Sequence, residues 1–201
     1  GAYVFDGVLP ADVTDSTKRW KQVLTYGALG ADYVIPGGAT TWTGALCMAI
    51  APSNSDKIYA YFPKNGDGTN FWQWSIFYSD DSGESWTEND TGLINYCDDG
   101  GSNGAWRRSQ QSIAVDPNNE DVVYVGMMTN HSGSSGATSS CFRSINGGVD
   151  FSAVTTDGST VLDGPTSYPG CRGIIFDLQS GTTSVGGQTR TNRVLIPVPG
   201  D

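Results

Sequence analysis

Apolar residues along this chain come in short runs, each broken by Gly, Pro, Asn, Asp or Ser. Leu46 to Ala51, Lys57 to Phe62, Phe71 to Tyr78 and a run from Trp86 onward read as strands. So do Ser112 to Val115, Val122 to Met127, Ser140 to Arg143 and Phe151 to Thr155. Tyr3 to Phe5 precedes them, and Gly173 to Asp177 and Arg193 to Val198 follow. No long stretch keeps an apolar period of 3.6, so helix is almost excluded. The pattern predicts an all-β chain of short strands and tight turns.

The turns repeat. Ser79-Asp80-Asp81-Ser82-Gly83-Glu84-Ser85-Trp86 sits between two apolar runs and reads as a hairpin corner. Asp81 and Ser82 can bond nearby backbone N–H groups, and Gly83 can take positive φ without steric cost. Trp86 then opens the return strand and needs an apolar slot between sheets. Ser79, Asp81, Gly83 and Trp86 map onto Ser144, Asn146, Gly148 and Phe151 at an offset of 65 residues. Ile50-Ala51-Pro52 and the Lys57-Ile58-Tyr59 run lie at the same offset before Val115-Asp116-Pro117 and Val122-Val123-Tyr124. Two different motifs sharing one period define a repeating unit of at least two hairpins. Trp20 lies 66 residues before Trp86, so the period reaches back to a weakened copy around Asp15.

These residues resemble the Asp-box (S-x-D-x-G-x-x-W) of sialidase-like β-propellers. The wider pattern resembles glycoside hydrolase family 74, the xyloglucanase-type endoglucanases, with sialidase and sortilin propellers more distant. Gly1-Ala2-Tyr3-Val4-Phe5-Asp6 and Gly101 to Arg108, followed by Val115-Asp116-Pro117, carry the likeness. It implies blades of four-stranded antiparallel sheet: residues 1–44 the end of one blade and a connection, 45–109 and 110–170 a blade each, 171–201 the start of another. About three blades are expected, where propellers close with about four to eight. The expected partners are therefore the remaining blades, in the same chain or in other copies.

Composition narrows the function. The net charge is −10, from 21 acidic and 11 basic residues, with no basic cluster. Nucleic acid and anionic membrane are poor partners for such a chain. No apolar run approaches the ~20 residues of a membrane helix. Cys47, Cys97, Cys141 and Cys171 match no zinc spacing, and His131 is the only histidine, so neither metal nor cofactor is expected. Their even count is read as disulfides of a secreted or surface protein; buried thiols are the alternative. Asn89-Asp90-Thr91 and Asn130-His131-Ser132 are glycosylation sequons.

Candidate chemistry lies in four loops: Tyr26–Thr43, Pro63–Phe71, Tyr96–Gln110 and Asn130–Ser140. Trp42, Trp72, Tyr96 and Trp106 could stack on sugar rings or pack between blades. Asp98, Asp99 and Arg107 could bond hydroxyls or simply make solvated turns. Asp116 is read as structural, bonding the turn between inner strands. Glycoside hydrolysis needs two carboxyl groups across one bond. The resemblance implies one catalytic Asp just before the position of Gly1 and a second in a later half, so no catalytic residue is carried over. The expected function is an extracellular propeller that engages polysaccharide or glycan, inactive on its own. The alternative is a non-catalytic surface, adhesin or virion-associated module, or a structural scaffold.

Overall fold

The structure, a computed structural model, describes residues 2–5, 20–24, 47–65, 72–89, 112–126, 141–154 and 173–197, with side chains from 47–61, 76–89, 112–126, 141–154 and 173–197. β1 (Ala2–Phe5) pairs antiparallel with β2 (Trp20–Leu24). The first four-stranded sheet is a meander of β3 (Cys47–Ala51), β4 (Asn54–Asn65), β5 (Trp72–Ser79) and β6 (Thr87–Asn89). The second repeats it with β7 (Ser112–Asp116), β8 (Asn119–Gly126), β9 (Cys141–Ser144) and β10 (Ser152–Ala153). A third begins with β11 (Ile175–Phe176) paired to β14 (Val194–Leu195). The described residues are thus all-β, apart from a one-turn 3₁₀ helix at Leu178–Ser180.

The repeat is visible in the register. Ile50 faces Ile58 in the first sheet, and Val115 faces Val123, 65 residues on, in the second. Both sheets have a register shift one residue later or at that point, at Ile50/Ala51 and Val115/Asp116. Asp56 and Asp121 play the same part: Ser82 N donates to Asp56 O at 3.0 Å, and Gly147 N to Asp121 O at 2.9 Å. Sequence similarity here is conformational similarity.

The sheets stack head to tail. Ala51, Tyr59, Tyr61 and Ile76 of the first sheet meet Val115, Val123, Val125, Phe142 and Phe151 of the second in one core. Positions 58 and 60 of the first sheet match Val123 and Val125, yet it is their neighbours Tyr59 and Tyr61 that face the second sheet. Each sheet therefore offers opposite faces to its two neighbours. The next interface obeys the same rule: Val122, Tyr124 and Cys141 meet Ile174, Phe176, Val194 and Ile196. The Tyr124 and Phe176 rings cross edge to face, 5.6 Å between centres. Successive sheets in one polarity with β3 lying beside β7 fit a partial β-propeller.

Trp86 corrects one expectation. Phe151 is buried in the core between the first two sheets, only 6% exposed, but Trp86 is half-buried. Unlike Phe151, it is not part of the core between the first two sheets. Its indole N–H donates to Gly83 O at 3.0 Å.

The third sheet adds a feature without a counterpart. Where the others turn through Pro52-Ser53 and Pro117-Asn118, it inserts a hairpin of β12 (Thr182–Val185) and β13 (Gln188–Thr191). Gly186 and Gly187, at φ 61° and 80°, make the two-residue turn that needs positive φ twice.

Candidate functional site

Both Ser-Asp/Asn-Gly corners are closed by one hydrogen-bond scheme. The Ser79 hydroxyl donates to Asp81 Oδ1 at 2.7 Å and accepts from Gly83 N at 2.8 Å. Ser144 does the same with Asn146 Oδ1 and Gly148 N, each at 2.9 Å. Asp81 Oδ1 then accepts from Ser85 N at 2.8 Å, as Asn146 Oδ1 accepts from Asp150 N at 3.0 Å. The Ser85 hydroxyl adds a bond to Asp81 Oδ2 at 2.6 Å. These bonds from the Ser85 side chain and backbone, then from Ser79, hold the Asp81 carboxyl at about 2, below its ordinary 3.8. Ser82, at φ 58°, is a non-glycine residue in the left-handed region; its hydroxyl donates to Asp56 Oδ1 at 2.6 Å.

The corners face one end of the stack and the candidate loops leave the other. The corner at 79–86 follows Ser79, which pairs with Ile58, beside the β3–β4 turn. At the far end of the same ladder Trp72 pairs with Asn65. Cys47, which opens β3, and Asn89, which closes β6, are level with the Tyr61–Ile76 pair, three pairs on from the corner and four short of Asn65–Trp72. In the second sheet Ser112 and Cys141 both pair with Gly126 there. The connections before β3, between β4 and β5, between β6 and β7, and between β8 and β9 thus start or finish at a common end. They contain the four loops singled out from sequence, except that Pro63–Asn65 belong to β4 rather than to a loop. Trp42, Tyr96, Asp98, Asp99, Trp106 and Arg107 lie outside the described residues. Trp72 is placed by its backbone alone.

A buried lysine of the first sheet is neutralised by an exposed aspartate of the first corner, a pair that sequence alone does not show. Lys57 is buried, with Nζ 2.6 Å from Asp80 Oδ1 and 4.4 Å from the Tyr78 ring centre. A Lys in a strand at the position of Val122 was the available signal. Asp116 is structural, as expected, and does more than close its turn. Its Oδ1 accepts from Asn118 N at 2.9 Å and from the Thr191 hydroxyl at 2.7 Å; its Oδ2 accepts from Thr191 N at 2.9 Å. It therefore fastens the inserted hairpin to the second sheet.

Two other expectations change. No disulfide is formed among the described residues. Cys47 packs against the core between the first and second sheets, whereas Cys141 belongs to the core between the second and third. A sheet separates them; Cys97 and Cys171 lie outside the described residues. Burial pushes the Cys47 thiol up. Of the two sequons, Asn89 uses its side-chain N–H to donate to Gly147 O at 3.1 Å, across the sheet interface. A glycan would replace one of the two hydrogens on that nitrogen, at this interface. Asn130 lies outside the described residues.

A scan against protein-family models finds no match to this chain, and a search of curated proteins finds none. Among solved structures the chain is similar to the GH74 enzyme of Niastella koreensis, at 23% identity and TM-score 0.46 over 76% of this chain and 19% of that one. It is also similar to the GH74 xyloglucanase of Xanthomonas campestris, at 16% identity and TM-score 0.44 over 76% of this chain and 20% of that one. The chain thus spans about a fifth of either structure's length.

Proposed function

We propose that this chain is part of an extracellular β-propeller that engages polysaccharide, resembling the N-terminal part of a family 74 glycoside hydrolase, and that its two corners are Asp-boxes. The observation that carries the reading is the polarity of the stack. Both corners point to one end, and the strand ends that feed the four candidate loops, three of them aromatic-bearing, lead to the other. A ligand binding across several blades needs its contact loops at a common end.

In this reading Trp42, Trp72, Tyr96 and Trp106 supply faces for sugar rings, and Asp98, Asp99 and Arg107 bond hydroxyls. The remaining blades, in the same chain or in other copies, complete the site. No catalytic carboxylate of the family maps onto these residues, so the chain alone binds glycan without cleaving it.

Titrating the chain with xyloglucan and mixed-linkage glucan, beside a reducing-sugar assay, tests this. Binding weakened by Trp42→Ala and Trp106→Ala, without turnover, is the expected result. Absence of binding to either polymer removes the carbohydrate reading. Turnover lost in Asp98→Ala or Asp99→Ala overturns the assignment of an inactive segment.

A further inference from the structure

The inserted hairpin carries an unguarded strand edge. Gly186 and Gly187 form its two-residue turn, so Val185 and Gln188 are a hydrogen-bonded pair and the pairing alternates from there. Asn192 N donating to Gly181 O at 3.0 Å confirms the alternation. Thr191 N accordingly points away from β12, and it donates to the buried Asp116. The outer edge of β13 is thus turned to the second sheet. By the same alternation Thr182 and Ser184 aim their N–H and C=O groups outward from the opposite edge of the ribbon.

That edge lacks the usual protections. β12 has no Lys, no Pro, no bulge and a continuous register, and all its residues are exposed. Residues 181–189 carry no charged side chain, in a chain of net charge −10. Gln188 Nε2 donates to Ile145 O at 2.8 Å, which sets the hairpin beside the second corner. There Ile145 and Val149, 41% and 43% exposed, replace the acidic Asp80 and Glu84 of the first corner. Val185, 51% exposed, adds a third apolar side chain on the hairpin. Corner geometry does not require apolar residues at these positions, since the first corner closes with acids.

We propose that β12 is a self-association edge, pairing antiparallel with β12 of a second copy about a twofold axis through Thr183. β12 itself carries no charge that would oppose a second copy; the two Arg190 side chains, cross-strand from Thr183, lie one strand back on either side of the contact. Thr182 of each copy then exchanges main-chain bonds with Ser184 of the other, and Thr183 faces its own counterpart in a non-hydrogen-bonded pair. Cross-strand Thr pairs suit this contact. The edge lies in the third sheet's insertion, so the inference stands apart from glycan binding.

Sedimentation equilibrium over a wide concentration range tests it. The expected result is a reversible monomer–dimer equilibrium that Ser184→Pro weakens by about tenfold or more, with an unchanged circular dichroism spectrum. Thr183→Cys should give a disulfide-linked dimer on mild oxidation, because opposed residues of such a pair have Cα atoms ~4.5 Å apart. Thr189→Cys, also exposed but on the strand turned to the second sheet, should not. A chain that stays monomeric throughout, a dimer indifferent to Ser184→Pro, or equal cross-linking at both cysteines overturns the proposal.

Discussion

The Tyr59 hydroxyl donates to the Glu120 carbonyl oxygen at 2.8 Å, joining β4 of the first sheet to β8 of the second across 61 residues of sequence. Like the Asn89–Gly147 bond, it is a polar tie across a largely apolar interface, and burial makes its loss matter.

Burial first, and then the carboxylates of Asp121, Asp80 and Glu120, push the Tyr59 hydroxyl far above its ordinary 10.0. The folded chain therefore keeps this proton where the unfolded chain releases it. Its contribution is full below about pH 10 and declines as pH rises beyond that. Tyr59→Phe should cost about 1 kcal/mol near neutrality and flatten the alkaline decline. Urea unfolding of both proteins at about pH 8 and about pH 11 checks this. Parallel declines would mean that Tyr59 ionises in the folded chain.

Phe151 and Trp86 occupy equivalent corners but unequal surroundings. Phe151→Ala should cost about 3–5 kcal/mol, as for a large aromatic removed from a core. Trp86→Ala should cost less, about 1–2 kcal/mol, because the half-exposed ring surrenders less buried area and one hydrogen bond. Equal costs in chemical denaturation would show that Trp86 is as well covered as Phe151.

This contrast marks what the sequence made legible. The 65-residue spacing located both corners and both four-stranded sheets, because turn chemistry and strand alternation are local. It could not say which face of a sheet has a neighbour, so Trp86 was expected to be buried. The β12–β13 hairpin was also missed, although β-branched residues around Gly186-Gly187 are a hairpin signal. That stretch breaks the 65-residue period. A common end for the candidate loops was an expectation of the propeller likeness, because strands of a meander alternate in direction; sequence alone could not say how far each strand reaches toward it. Lys57 was passed over because its partner Asp80 becomes a neighbour only when β4 pairs with β5.

The two corners should differ in acid. Bonds from Ser85 and Ser79 hold Asp81 at about 2, below its ordinary 3.8, while Asn146 has no carboxyl to titrate. A lowered folded value means stability that is present above about pH 4 and lost as pH falls through about 2. Asp81→Asn should reduce the steepness of the acid decline, while Asn146→Asp should increase it. Thermal melts across that interval measure both; unchanged profiles would show that these bonds do not depend on ionisation.

Gly148 and Gly187 separate backbone strain from crowding. Both have positive φ, 85° and 80°. A Cβ on Gly187 meets nothing within 4 Å, whereas one on Gly148 comes to 3.1 Å from Ile76 Cγ2, in the packed core. Gly187→Ala should therefore cost only the left-handed backbone term, about 1–2 kcal/mol. Gly148→Ala should cost a further 1–3 kcal/mol or so for overpacking. Matching melting temperatures would mean that Ile76 yields freely.

Asp116 supplies the last test, because one side chain serves two units of the fold. It is 1% exposed, and its oxygens satisfy Asn118 N, Thr191 N and the Thr191 hydroxyl. In Asp116→Ala each buried donor left without an acceptor costs about 1–3 kcal/mol. The loss falls unevenly. β12–β13 is a two-stranded ribbon, a unit that is marginal by itself, and Thr191 is buried where it meets Asp116. The ladder from Val123–Ser144 to Gly126–Cys141 keeps its own bonds and its core. Amide exchange should therefore accelerate most at Thr191 and through 182–190, and least at Val123 and Val125. Asp116→Asn should give a smaller acceleration, since one oxygen acceptor remains. Uniform acceleration along the chain would show that the hairpin and the second sheet open together, and that Asp116 acts on the whole stack rather than as a local fastener.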